Sequence, residues 1–114
     1  MSKRDTHATL SQIATHARHA QDLCAGKTLT ELLSDWKTQL ALERALEILG
    51  EAVKRLPAQV CEAYPAVPWR LVAGMRDRLI HGYDEVDYEI LWNVVNEDLP
   101  DLLKTVDRMI SELE

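Results

Sequence analysis

Leu10, Ile13, Ala17, Ala20 and Cys24 recur at spacings of three and four, with mostly polar positions between them. That period is one apolar face of an α-helix, and it predicts a first helix that ends near Gly26. The run Thr28, Leu29, Thr30, Glu31 has the form of a capping box, with a hydroxyl for the N3 amide and a carboxylate that reaches back. A short second helix should begin there. Leu42, Leu46, Leu49, Val53 and Leu56 then repeat as four, three, four, three, the seam of a left-handed bundle, and Pro57 ends it. Gly50 lies on this helix at a cost of about 1 kcal/mol relative to Ala, which close approach of another helix explains.

After a proline turn in YPAVPW, Pro68 suits the first position of a helix running to about Gly82. Val72, Met75 and Leu79 form its buried stripe. Asp87 can cap a last helix striped by Leu91, Val95, Leu99, Leu102, Val106, Met109 and Leu113. Pro100 removes one amide inside it and predicts a kink, not a break into two helices. Strand-like alternation, internal repeats and low-complexity tracts are absent from the sequence. The expectation is one all-α domain over residues 1–114, an up-and-down bundle of four main helices with one short extra helix.

At 114 residues the chain is long enough to bury roughly two thirds of its unfolded surface, so no disulfide or metal staple is needed. Cys24 and Cys61 are far apart, in apolar surroundings and outside any C-x-x-C pair, as expected of reduced thiols. The charged start MSKRDTHATLSQ has no apolar run behind it, and no segment approaches the ~20 apolar residues of a membrane span. A cytoplasmic soluble protein is expected.

The formal net charge of −6 argues against general nucleic-acid affinity, which rests on phosphate neutralisation. Its distribution is uneven. Residues 1–64 carry eight basic and eight acidic side chains, residues 65–83 three arginines and one aspartate, and residues 84–114 two basic and ten acidic. Positive charge is therefore concentrated around MRDRLIHGY, residues 75–83. The apolar stripe of that helix requires neither Arg76, His81 nor Tyr83.

On an ideal helix Arg76 falls beside the buried stripe, while His81 lies about 140° round from it. Either the helix unwinds at residues 80–82, or Arg76 and His81 cooperate across a two-fold axis with a second copy. Ala73 and Gly74 share the face of His81 and would admit a second backbone, which favours a dimer. Asp77, four residues before His81, can fix the imidazole tautomer that leaves the other nitrogen free as a base. On spacing alone a solvated Asp77/His81 pair is the simpler account, as is an Arg76 stem lying over the core. His16 and His19 share a side of the first helix and lack a third metal ligand. Trp36, Trp69 and Trp92 are expected to be packing residues, not stacking platforms. No Gly-rich phosphate loop, paired carboxylates or serine-nucleophile context occurs.

Arg76, Asp77, His81 and Tyr83 form an R-x4-H-x-Y pattern that resembles the signature of the HEPN superfamily, and specifically of its HepT-like toxins. The flanks RALEILGEAVKRL, YPAVPWRLVAGMRDRLIHGYDEVD and LWNVVNEDLPDLL are similar too, so the resemblance runs from about residue 40 to the end. It implies a four-helix HEPN bundle that dimerises so that arginine and histidine of both copies line one cleft. It also implies a metal-independent endoribonuclease, without cofactor, that is the toxin of a type VII toxin–antitoxin pair. The implied partner is an MntA-like minimal nucleotidyltransferase that transfers AMP onto the tyrosine of H-x-Y, here Tyr83, in a dimer or a higher oligomer with the antitoxin. Many relatives carry Asn where this chain has Asp77. RNA brings its own nucleophile, the 2′-hydroxyl, so histidine of ordinary pKa near ~6.5 can serve as base and no metal is required. Arg76 would hold the scissile phosphate, and Arg70 and Arg78 would guide the strand. A non-catalytic nucleotide- or RNA-binding partner subunit of the nucleotidyltransferase is the alternative, and a structural protein that docks through its acidic last helix is a third reading.

Overall fold

The computed structural model describes the backbone of residues 1–81 and 86–113, with all their side chains except those of residues 76 and 78–81. Helix α1, Lys3–Cys24, starts where the Ser2 hydroxyl accepts the Asp5 amide at 3.0 Å. It ends at Gly26, whose φ of +72° only glycine adopts without strain. Helix α2, Leu29–Leu33, carries the expected capping box, with Thr28 and Glu31 satisfying each other's amides at 3.2 and 3.1 Å. Helix α3, Trp36–Lys54, is capped by Asp35, which accepts from both the amide and the hydroxyl of Thr38. Those two bonds hold the Asp35 carboxyl below its usual pKa.

Helix α4, Ala58–Glu62, is a second short helix in a stretch to which the sequence pattern assigned no element. Pro57 stops α3 and at once starts α4, because proline lacks only an amide that a first turn leaves unused. Helix α5 spans Trp69–His81, one residue later than expected, with the Pro68 carbonyl accepting the amides of Leu71 and Val72. Helix α6, Tyr88–Asn93, is capped by Asp87 as anticipated. A π-helical turn at Val94–Asp98 joins it to α7, Leu99–Leu113.

The π turn is how the chain accommodates Pro100. A proline ring crowds the carbonyl four residues back, here Asn96, and supplies no amide for it. The Leu99 amide reaches back to Val94, five residues away, so the helical path widens just ahead of the proline. The run from Tyr88 to Leu113 remains helical throughout.

Four long runs, α1, α3, α5 and α6 to α7, thus make the all-α bundle, with two short helices as connectors. The molecule measures 42 × 29 × 21 Å, and its thinnest dimension holds two helix diameters of about 10 Å each. Helix α3 packs against α1 on one side and α5 on the other, and α1 packs in turn against α7. Leu10, Ile13, Leu42, Leu46, Leu49 and Val106 are fully enclosed where these helices meet. Gly50 is buried on α3 as well.

Trp36 departs from the expected packing role. It is 64% exposed, with the Lys37 ammonium 5.6 Å from its ring centroid. Trp69 and Trp92 pack against the core, and Trp69 donates to the Tyr64 carbonyl at 3.0 Å. Cys24 is buried and Cys61 half-buried, both as free thiols whose pKa burial pushes up. Among the described residues no helix is long and apolar enough to cross a membrane.

Candidate functional site

Helix α5 carries five of the six residues the sequence singled out. Its backbone is α-helical from Trp69 through His81, so residues 80 and 81 have not unwound. With regular helical geometry over that span, positions 76 and 81 stay about 140° apart on one copy. Positions 71, 74 and 81 fall on one side of the helix, since spacings of three and seven return within about 60° and 20° of the same direction. Gly74 is exposed, and nothing stands within 4 Å of where a Cβ would project. Ala73 packs toward the core instead. Arg70 is exposed on the first turn. Met75 and Val72 bury the stripe that attaches α5 to the bundle.

Asp77 faces the neighbouring helix. Its Oδ1 accepts from Lys54 Nζ at 2.7 Å, which joins α5 to the last turn of α3. Both groups are partly exposed, so the pair contributes little stability, typically ~0–1 kcal/mol. Its electrostatic effect is more local. The motif's single carboxylate meets a cation, which reduces the repulsion an anion would feel at Arg76. Lys54 went unnoticed in the sequence because only the packing of α3 on α5 brings it within reach, 23 residues away.

A second tie comes from α6. The Tyr88 hydroxyl donates to Glu43 Oε2 on α3 at 2.9 Å, and its pKa is pushed up to about 12, first by burial and then by this bond to a carboxylate. Glu43 and Lys54 lie about 16 Å apart along α3 at the helical rise per residue. The chain on each side of residues 82–85 is therefore anchored to one rigid helix. Tyr83 lies outside the described residues, as do the side chains of Arg76, Arg78 and His81. The third tyrosine, Tyr64, donates to Glu112 and lies under Arg108, whose guanidinium carbon is 5.3 Å from its ring. The bond to Glu112 raises the Tyr64 pKa.

His16 and His19 meet edge to face with ring centroids 5.3 Å apart, and His16 Nδ1 lies 2.9 Å from the Gln12 carbonyl. Among the described residues no group of three or more His, Cys, Asp or Glu could hold a metal ion.

Comparison with known proteins agrees with the motif. The family described as "Ribonuclease HepT-like" matches residues 13–109. The chain is 40% identical over 114 residues to "Putative RNase MJ0127" of Methanocaldococcus jannaschii, covering all of this chain and 94% of that protein. It is 42% identical over 100 residues to "Probable ribonuclease HepT" of Thermococcus cleftensis, covering 88% of this chain and 91% of the relative. A third relative, "Putative RNase TTE0752" of Caldanaerobacter subterraneus, is 40% identical over 87 residues, 76% of this chain and 78% of its own. No solved structure gives a significant match. The matched span takes in most of α1, all of α3 and α5 and most of α7, and the chain belongs to the ribonuclease HepT-like family of the HEPN superfamily.

Proposed function

We propose that this protein is a metal-independent endoribonuclease, the toxin of a toxin–antitoxin pair, whose active cleft is completed by a second copy of the chain. The observation that carries the reading is the R-x4-H-x-Y pattern on a helix that stays regular through His81 in a chain of the HepT-like family. On a regular helix positions 76 and 81 lie about 140° round from each other, which favours a site shared with a two-fold partner.

In this reading one His81 takes the proton of the 2′-hydroxyl, and the 2′-oxygen attacks the adjacent phosphorus. The partner's His81 gives a proton to the departing 5′-oxygen. Products are a 2′,3′-cyclic phosphate and a 5′-hydroxyl, so protons balance without water or metal. Arg76 binds the phosphate and stabilises the charge that builds on its oxygens. Lys54 neutralises Asp77 beside it, while Arg70 and Arg78 guide the strand.

Tyr83 is the switch. A cognate MntA-like nucleotidyltransferase transfers AMP from ATP to its phenol, which adds phosphate charge and nucleotide bulk that compete for Arg76. The commitment of the Tyr64 and Tyr88 hydroxyls to Glu112 and Glu43 supports Tyr83 as the acceptor.

The test is cleavage of RNA by the purified protein in EDTA. His81→Ala should reduce the rate by ~100-fold or more, the lower range for loss of a general acid or base. RNA bound but uncut by the wild-type chain would instead identify a non-catalytic RNA-binding subunit. Tyr83→Phe should still cleave but escape silencing by nucleotidyltransferase and ATP. An AMP mass increment on Tyr64 or Tyr88, with Tyr83 unmodified, would reassign the switch.

A further inference from the structure

Six large apolar side chains are exposed among the described residues. Besides Met1, Leu71 and Ile90 edge a groove of about 830 Å³ between α5 and the α6 to α7 run, and the other three fall within a stretch of eight residues. Leu33 closes α2, while Trp36 and Leu40 sit one turn apart on α3, at 54%, 64% and 57% exposure. Apolar side chains gathered in this way, unlike a lone exposed leucine, mark a contact surface.

Trp36 stands on the row of α3 that holds the motif helix. Spacings of seven and eighteen return to within about 20° of its direction, so Glu43 and Lys54 share its side of the helix. Lys54 meets Asp77 and Glu43 meets Tyr88, so residue numbers fall along α3 as they rise along α5 and α6. Trp36 lies one step beyond, at the end towards which α5 points. At the helical rise it is about 27 Å from Lys54 and about 21 Å from the level of position 81. A few nucleotides of single strand span that distance, and single-strand binding folds engage ~4–16.

The surroundings decide what occupies the patch. Three side chains, even fully covered, fall short of the roughly 800 Å² per partner of a stable protein interface. A base needs only one aromatic face. The Lys37 ammonium lies 5.6 Å from the indole centroid and, among the described residues, pairs with no carboxylate. From there it can meet the phosphate next to a stacked base, and the exposed ring keeps room for that base. Glu43 and Glu47, on the row between, are each held already, by the Tyr88 hydroxyl and the Arg44 guanidinium. Residues 84–114 are strongly acidic, so phosphate contacts are scarce at this end, and stacking attracts a strand without them.

We infer that Trp36 is a stacking platform for an unpaired base of the RNA, a few nucleotides from the phosphate that is cut, with Leu33 and Leu40 flanking the base and Lys37 on its phosphate. This rests on the ribonuclease reading and extends its site from the motif along α3. It also makes single strands the substrate class, because bases in a duplex stack on one another and offer no free face.

The experiment is fluorescence anisotropy of a labelled single-stranded RNA of about 12 nucleotides, 2′-O-methylated so that it lacks the nucleophile, with the full chain beside Trp36→Ala and Trp36→Phe. Trp36 is exposed, so both variants should fold, which circular dichroism verifies. Trp36→Ala should weaken binding at least ~5-fold, the lower range for one base stacked on an aromatic ring, and Trp36→Phe, which keeps a ring, should recover most of it. In cleavage of unmethylated RNA the loss should appear in KM more than in kcat, and should shrink as the strand is shortened to two nucleotides. A blunt duplex should show no such dependence, and the same loss there would overturn the base contact. Equal binding of the single strand by wild type and Trp36→Ala overturns the inference, and if that variant cuts RNA as wild type does, the ribonuclease reading stands alone. Equal RNA binding joined to lost capture of a co-expressed nucleotidyltransferase also overturns it and gives the patch to that protein. Trp36-dependent binding in a chain that never cuts supports the platform and defeats the ribonuclease reading alone. A chain that binds no RNA overturns both.

Discussion

Helices α1 and α3 and helices α5 and α7 are built from similar heptad-like stripes, yet one pair closes and the other does not. Leu10, Ile13, Leu42, Leu46 and Leu49 are all fully enclosed. Across the molecule, α5 is held through Val72, Met75 and the Lys54–Asp77 pair, while its far side meets a groove. Stability resides in the first pair and chemistry on the second. A helix fixed on one side only keeps its other faces available for a substrate and a partner copy.

The largest contrast should appear on truncating a leucine on each side. Leu46→Ala should destabilise the fold by ~2–5 kcal/mol, because the enclosed site loses transfer energy and leaves a cavity. Leu71→Ala, at protein concentrations where the chain is monomeric, should change stability by no more than ~0.5 kcal/mol. Chemical denaturation of both variants measures this. Equal losses would mean that α5 is enclosed in solution and the groove is not open.

A smaller effect is expected at the turn after α1. Gly26→Ala should cost ~1–2 kcal/mol, from the left-handed backbone alone, since an added Cβ meets nothing within 4 Å. An unchanged denaturation midpoint would show that the turn adopts another conformation. Smaller again is the Lys54–Asp77 pair. Lys54→Met should leave stability within ~1 kcal/mol but raise KM for RNA more than it lowers kcat, because the Lys54 cation that offsets the Asp77 carboxylate is gone. Lys54→Arg should restore KM. A purely structural role would shift the melting temperature and leave KM unchanged.

The mildest prediction concerns pH. The Tyr88 pKa is raised in the fold, so the unfolded chain loses this proton first as pH rises. Its stabilisation is complete below about pH 10, the ordinary tyrosine value, and is lost as pH climbs through about 12. Denaturation midpoints across that window should fall less steeply in Tyr88→Phe than in wild type. Parallel curves would place the Tyr88 hydroxyl in water.

The sequence conveyed the packed half better than the open one. The stripe from Leu42 to Val53 is legible because burial on one helix face imposes a period that only one fold class satisfies. The capping signals at Thr28 and Asp87 were equally plain, since they act within one turn. Helix α4 was missed because Pro57 reads as a stop and serves equally as a start. The distortion at Pro100 was foreseen, but not its form as a π turn, which depends on how Leu99 and Val95 must both reach the core. Trp36 was misread because a large aromatic side chain is assumed to be inside, whereas its position on α3 faces water.

At the site, the angular separation of Arg76 and His81 was visible from spacing, and so was the charge segregation between residues 65–83 and 84–114. The partners Lys54 and Glu43 were not, because each is brought to α5 or α6 only by the packing of α3. The groove was also hidden: the stripe of the last helix reads the same whether its neighbour is in this copy or in another.

One measurement addresses the central claim, that two copies build one ribonuclease site. Wild-type chain is mixed with an equal amount of His81→Ala, subunits are allowed to exchange, and RNA cleavage is measured at fixed total protein. If both histidines serve one cleft, only dimers with two wild-type copies cut, and activity falls to about a quarter of the all-wild-type value. Activity at half that value would show that each copy cuts alone and would contradict the account.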